Sequence, residues 1–142
     1  MLTRTPDWPE KLADYIHKNL RTPFKWGSFD CCLFACGAVL AITGTDLAAD
    51  FRGQYNDLKS AYAAVKNYAG GGIAELVDKN TKEHGMVEVP VAFASRGDIV
   101  LVTQAGGDTI GIVGMDGIDA MCVGELALTR VPRKQWIKVW KV

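Results

Sequence analysis

An α+β domain, helices first and an antiparallel sheet after, is the fold class that this sequence predicts. Three observations predict it. Up to residue 84 the apolar residues recur at helical spacing between proline, glycine and cap signals. From residue 87 onward short β-rich runs are separated by Gly and Asp turns. The whole chain has 142 residues, 49% of them hydrophobic, which fits one compact domain over 1–142 with a core of its own.

The elements follow in order. Thr5-Pro6-Asp7-Trp8-Pro9-Glu10 carries a cap candidate, an early proline and an early acid, so it opens a helix. Leu12, Tyr15, Ile16 and Leu20 continue it, and Thr22-Pro23 ends it. Phe24 to Phe29 is a loop that turns at Gly27. Asp30 is an N-cap for a helix over Cys31 to Thr43, which carries no charge and is apolar nearly all round, the pattern of a central buried helix. Gly44 stands where a C-terminal cap belongs. Thr45 to Asn56 is a loop. Asp57 to Tyr68 is an amphipathic helix with Leu58, Tyr62 and Val65 on one face, broken by Gly70-Gly71-Gly72. Ile73 to Glu83 is a further short helix that ends near His84-Gly85. Val87 to Ala94 is extended. Strands are expected at Asp98 to Thr103, Thr109 to Met115, Ala120 to Val123, Leu126 to Val131 and Trp136 to Val142, with Gly106-Gly107-Asp108 as a hairpin turn.

Composition removes several function classes. Sixteen basic residues balance sixteen acidic ones, so no net charge points to nucleic acid or an anionic membrane surface. The longest apolar segment, Cys31 to Ile42, is shorter than the ~20 residues a bilayer span needs. Met1 to Glu10 has no apolar stretch of the signal-peptide kind, so folding in a cytoplasm, with the four cysteines as thiols, is the expectation. Cysteines one and five positions apart on one helix do not pair readily. CxxC pairs are missing, and His17 and His84 have no ligand spacing to the thiols, so neither a metal nor another cofactor is expected.

The chemistry-bearing stretch is Trp26-Gly27-Ser28-Phe29-Asp30-Cys31-Cys32. A cysteine in the first turn of a helix meets unpaired N–H groups and the positive end of the helix dipole, both of which favour the thiolate. Cys31, directly after the Asp30 cap, has that position and is the candidate nucleophile. The same N–H groups can help to hold an oxyanion, and Trp26-Gly27 would shape a groove in front of it. The competing reading is a buried cysteine used as a small hydrophobe, which is the reading taken for Cys32 and Cys36.

Residues 23–44, "PFKWGSFDCCLFACGAVLAITG", resemble the N-terminal signature of NlpC/P60 peptidases, in which a WG loop precedes an Asp-Cys pair at the start of the core helix. "RGDIVLV" followed by "TIGIVGMDG" resembles the next signature, a GD-led strand and then a His-Val-Gly-Ile-type strand. The resemblance is closer still to an NlpC/P60-like family encoded among phage and prophage tail genes. Its elements correspond here to Trp8-Pro9-Glu10, Trp26 to Cys32, Thr43 to Asp46, Arg52 to Tyr55, Arg96 to Asp98, and Trp140. This resemblance implies a papain-like fold, with the Cys31 helix packed on the C-terminal sheet. It also implies a histidine base at the start of the second strand. That position falls on Thr109, which accepts no proton near neutral pH, and neighbouring Asp108 is a poor base for a thiol. Nor does Ala120 to Val123 offer the later polar partner. Losing a general base removes ~10²–10⁴-fold in rate.

Two functions lead as expectations, with a cytosolic thiol enzyme of another kind as a third. The first is a tail-tip or baseplate component of a phage or prophage particle, structural or assembly-related, on a degenerate scaffold. It would be made in the bacterial cytoplasm, located in the virion and partnered by other tail proteins. The second is an active cysteine endopeptidase or amidase that cuts peptidoglycan peptides during infection, with His84 as first candidate base. His17, mid-helix, is read as solvated. Asp30 is read as a structural cap. Asp46 and Arg52 are read as a local salt bridge. Gly97-Asp98 is read as a turn into a strand, with Asp98 tying down backbone N–H groups. Trp136 and Trp140 are expected on one strand face. The basic residues Arg130, Arg133, Lys134, Lys138 and Lys141 form either a solvated face or a site for an acidic partner.

Overall fold

The structure, a computed structural model, describes residues 2–142. Four helices come first: α1 (Trp8–Asn19), α2 (Cys31–Thr43), α3 (Leu58–Ala69) and α4 (Ile73–Glu83). Six strands follow: β1 (Glu88–Val89), β2 (Ile99–Gln104), β3 (Gly107–Val113), β4 (Asp119–Val123), β5 (Leu128–Pro132) and β6 (Trp136–Trp140). All pairings are antiparallel, in the order β1-β6-β2-β3-β4-β5. The α+β class and the helices-then-sheet order are as the sequence predicts.

Helix α2 is the centre of the molecule because nothing on its surface asks for water. Eight of its residues, from Cys32 to Ile42, are buried. Asp30 caps its start by accepting from Leu33 N at 3.0 Å, and Gly44, left-handed at φ 79°, closes its end on Leu40 O. Helix α1 crosses it by burying Leu12 and Ile16. The crossing is close at Gly37, where a Cβ would run into the Tyr15 hydroxyl, and that hydroxyl instead donates to Phe34 O at 2.8 Å. Helix α3 starts one residue later than the sequence suggested, because Asp57 is its cap, held reciprocally with Ser60.

The sheet has two buried faces. Ile99, Leu101, Ile110, Ile112, Met121 and Trp140 pack against the helices. Their alternates Val100, Val102, Val113, Ala120, Cys122 and Val139 form a second core with Trp136 and Val131 on the far side. Val89, Val91 and Ala94 pack onto that far core.

Several expectations are corrected. Val87 to Ala94 is not extended throughout: only Glu88–Val89 pairs, and a 3-10 turn at Val91–Phe93 follows Pro90. Asp108 is in strand β3 opposite Thr103, so the hairpin turn is Ala105-Gly106 rather than Gly106-Gly107-Asp108. Trp136 and Trp140 do not share a face. The register of β6 against β2 slips between Leu101, opposite Lys138, and Val102, opposite Trp136. The extra residue is a β-bulge that turns Trp136 to the far core while Trp140 stays on the helix side. There Trp136 Nε1 donates to Val131 O at 3.0 Å.

Four of the five C-terminal basic residues have partners within the fold, and Lys134 is exposed, as the solvated-face reading has it. Lys138 pairs with Asp78 at 3.3 Å and Lys141 with Asp98 at 2.8 Å. Arg130 pairs with Asp116 at 3.2 Å. Arg133 donates to Val91 O and Gly117 O and stacks on the Trp136 ring. Among the described residues no helix is long and apolar enough to cross a membrane.

Candidate functional site

Cys31 opens α2 at the wall of a partly enclosed cleft of about 320 Å³. One side is the WG loop, where Phe24 and Trp26 meet edge to face at 4.7 Å between ring centres. Leu58, Tyr62 and Val65 of α3 and Ile73 of α4 form another side. Thr109 and Asp108 of β3 and Val123 of β4 complete it. The walls are mainly apolar. Cys31 is half-buried, whereas Cys32, Cys36 and Cys122 are buried, and all four are free thiols.

Asp30 holds the framework of this cleft together. Its carboxylate is 1% exposed. One oxygen accepts from Leu33 N; the other accepts from Gly27 N at 3.0 Å and from the Tyr55 hydroxyl at 2.7 Å. The WG loop, the start of α2 and the segment before α3 therefore converge on one side chain. Burial, and then this hydrogen bond to Asp30, push the Tyr55 phenol well above its ordinary range. Gly27 has φ 79°, and a Cβ there would collide with Tyr55 O. The glycine is required by that close approach.

The thiols of Cys31 and Cys32 diverge in character although they are neighbours. Cys31 is lowered to about 7. Its largest cause is the hydrogen bond from the Cys32 thiol; the Thr109 hydroxyl and the Ile110 amide add to it, against burial and the nearby Asp30 charge. Strand β4 pairs with β3 only at Ile112 and Val113, so it does not cover Ile110. Cys32 is raised, first because its proton is held by Cys31 and then by burial. Burial pushes Cys36 and Cys122 up to about 12. Both cysteines line the cleft, and the pair thus concentrates negative charge on Cys31, the less buried of the two.

The structure brings together Trp26, Gly27, Asp30, Cys31 and Thr109. It does not bring His84 to them. His84 ends α4, with its Nδ1 bonded to Asn80 O at 2.8 Å, and it is absent from the cleft wall. The correction has a simple cause: the loop expected to carry His84 toward the site is a helix C-terminus that holds the ring on its own last turn. His17 is exposed on α1, away from the cleft. Asp98 is elsewhere too. It is fully buried and ties Arg4, Lys141, Ser95 and the Val142 amide together, a clasp between the two ends of the chain. Asp46 and Arg52 form a two-pronged pair at 2.9 and 3.2 Å within their loop. Among the described residues no group of three or more His, Cys, Asp or Glu side chains could hold a metal ion.

Sequence reasoning missed the α3 and α4 wall. Leu58, Tyr62 and Val65 were legible as one helix face, but that face reads as core; Tyr62 is in fact 70% exposed at the mouth of the cleft. Phe24 and Tyr55 lie in the motifs of the resemblance, but no sequence signal placed them at the cleft.

The fold and this cleft define an α+β protein with a single activated thiol at a helix entrance. The chain belongs to the family described as a domain of unknown function, DUF6950, whose model matches residues 3–142. No curated protein matches the sequence.

Proposed function

We propose that this protein is an NlpC/P60-like, papain-like domain of a phage or prophage tail tip. It serves there as a structural or assembly component whose cleft no longer hydrolyses peptides. The observation that carries the reading is the wall around Cys31: it holds Thr109 and Asp108 but no imidazole. The tail setting rests on the resemblance of the ordered motifs, from Trp8-Pro9-Glu10 to Trp140. Amide cleavage by a thiol needs a group that protonates the departing amine and later activates water. Thr109 supplies neither. Its hydroxyl can donate to the sulfur but holds no proton-accepting lone pair of useful basicity near neutral pH.

A hydrolytic reading has one observation in its favour, the lowered pKa of Cys31, which makes a nucleophile without help from a base. One experiment separates the two. Purified protein and Cys31→Ala are incubated with peptidoglycan, and soluble muropeptides are measured. The non-hydrolytic reading expects none from either; release that depends on Cys31 overturns it. Purified phage particles should contain the chain, and its absence from them would overturn the tail-tip assignment.

A further inference from the structure

We propose that the cleft is an acyl-acceptor site: Cys31 takes an acyl chain from an acyl thioester, and the chain lies along the apolar wall formed by α3, α4 and the WG loop. The inference rests on the non-hydrolytic reading of the same cleft and gives its missing base a consequence. An amide cannot release its amine without a proton donor. A thioester can release its sulfur as a thiolate, with no proton supplied. A site that keeps the nucleophile and lacks the base therefore selects by leaving group.

The step balances. The Cys31 thiolate attacks the carbonyl carbon of R–CO–SR′, a new C–S bond forms to Cys31, and the C–SR′ bond breaks. The electron pair leaves with R′S⁻, which takes a proton from solvent equal to the one Cys31 released on ionising. Nothing is oxidised or reduced. The Cys32 thiol and the Thr109 hydroxyl share the cleft wall with Cys31, and on this proposal they, with the nearby Ile110 amide, are the donors for the carbonyl oxygen as it becomes negative. The wall holds no imidazole, and the Asp30 oxygens are taken up by Gly27 N, Leu33 N and the Tyr55 hydroxyl, which leaves Asp108, among the described residues, as the one free carboxylate on the wall. A weak base of that kind activates water poorly near neutral pH, so the thioester persists.

The shape of the cleft argues for a chain rather than a small acyl group. Its volume of about 320 Å³ lies within the range of small-molecule pockets. Phe24, Trp26, Leu58, Val65, Ile73 and Val123 give it apolar walls. Each methylene buried there draws the exchange forward.

The full-length protein is incubated with decanoyl-coenzyme A or acetyl-coenzyme A at pH 7.5 and followed by intact mass. The expected result is one adduct on Cys31, labile to hydroxylamine, forming at least about tenfold faster with the longer chain, a factor that burial of only about two of its additional methylenes supplies. Cys31→Ser should take no adduct. Leu58→Asp, a change at an exposed rim position, should lose the chain-length preference, while labelling by iodoacetamide reports that its Cys31 is still reactive. No adduct on protein whose Cys31 reacts with iodoacetamide overturns the proposal. So do equal rates for the two chains, or an adduct that hydrolyses within minutes. None of these outcomes depends on peptidoglycan release, so the two readings fail separately.

Discussion

The charge state of Cys31 can be tested by titrating its reaction with a small neutral disulfide, hydroxyethyl disulfide, and reading the mixed disulfide by mass. An ordinary thiol ionises near 8.5, so at pH 7 about 3% of it is thiolate. Cys31, lowered to about 7, is half ionised there. The gain in thiolate is therefore roughly fifteenfold. A weaker base is also a weaker nucleophile: a shift of about 1.5 units at a Brønsted slope near 0.45 costs about fivefold. The net advantage at pH 7 is only about threefold, and above pH 9 it reverses to a disadvantage of about fivefold. The rate alone is thus a poor test, and the midpoint of the pH profile is the sharp one. Wild type should plateau by pH 8 with a midpoint near 7. Cys32→Ala removes the largest cause and should move the midpoint up; Cys32→Ser, which keeps a donor, should move it less. Thr109→Val should also raise it. Asp30→Asn removes a negative charge that opposes ionisation and should lower it. A wild-type midpoint at 8.5 or above, or a Cys32→Ala profile that overlays wild type, refutes the reasoning.

Asp30→Ala strips a helix cap and leaves Gly27 N and the Tyr55 hydroxyl without their acceptor, which together should cost about 4 kcal/mol, or roughly 12 °C in Tm by thermal unfolding. Gly27→Ala forces a left-handed residue against Tyr55 O and should cost about 2–3 kcal/mol; a Tm within 2 °C of wild type would contradict the close approach. Stability should also fall in alkali. Cys36 and Cys122 are raised in the fold, so their contribution is intact below the unfolded thiol pKa and lost as pH rises above it. By pH 10 the loss is about 2 kcal/mol for each, visible as a lower urea midpoint than at pH 8.

The helices were legible because caps and breaks mark them: Asp30 and Gly44 around α2, and Gly70-Gly71-Gly72 between α3 and α4; Asp57 reads as helical and proves to be the α3 cap. The sheet was legible as strands but not as a register. The bulge between Trp136 and Lys138 leaves no mark in a sequence whose alternation looks unbroken. It decides which tryptophan serves which core. The position of Cys31 was readable from the cap before it, and the coupling to Cys32 was not. Two adjacent cysteines read as neighbours pointing apart, whereas the proton that Cys32 offers is a matter of side-chain geometry in the first turn. His84 misled for the opposite reason. A histidine near Gly85 reads as a loop residue free to reach a site, yet Met86 N bonds back to Thr81 O, and the ring stays on its own helix.

The motifs that drew attention to this sequence have separable meanings once their contacts are known. Trp26 to Asp30 and Arg52 to Tyr55 meet through the Asp30 carboxylate. Thr43 to Asp46 and Arg52 meet through a salt bridge. Arg96 to Asp98 belongs to the clasp that holds Arg4 and Lys141. Each of these interactions is satisfied within the chain and would be needed whether or not the cleft reacts with anything. Recurrence of such motifs therefore reports a shared framework and carries no information about turnover. Chemistry is decided by the residues these motifs only position: the sulfur of Cys31, the donor on Cys32, and whatever stands at 109. A histidine in place of Thr109 would put an imidazole on the cleft wall. A threonine leaves a nucleophile suited to exchange with groups that depart unaided. On the reading proposed above, the framework is kept intact while that one position selects between hydrolysis and capture.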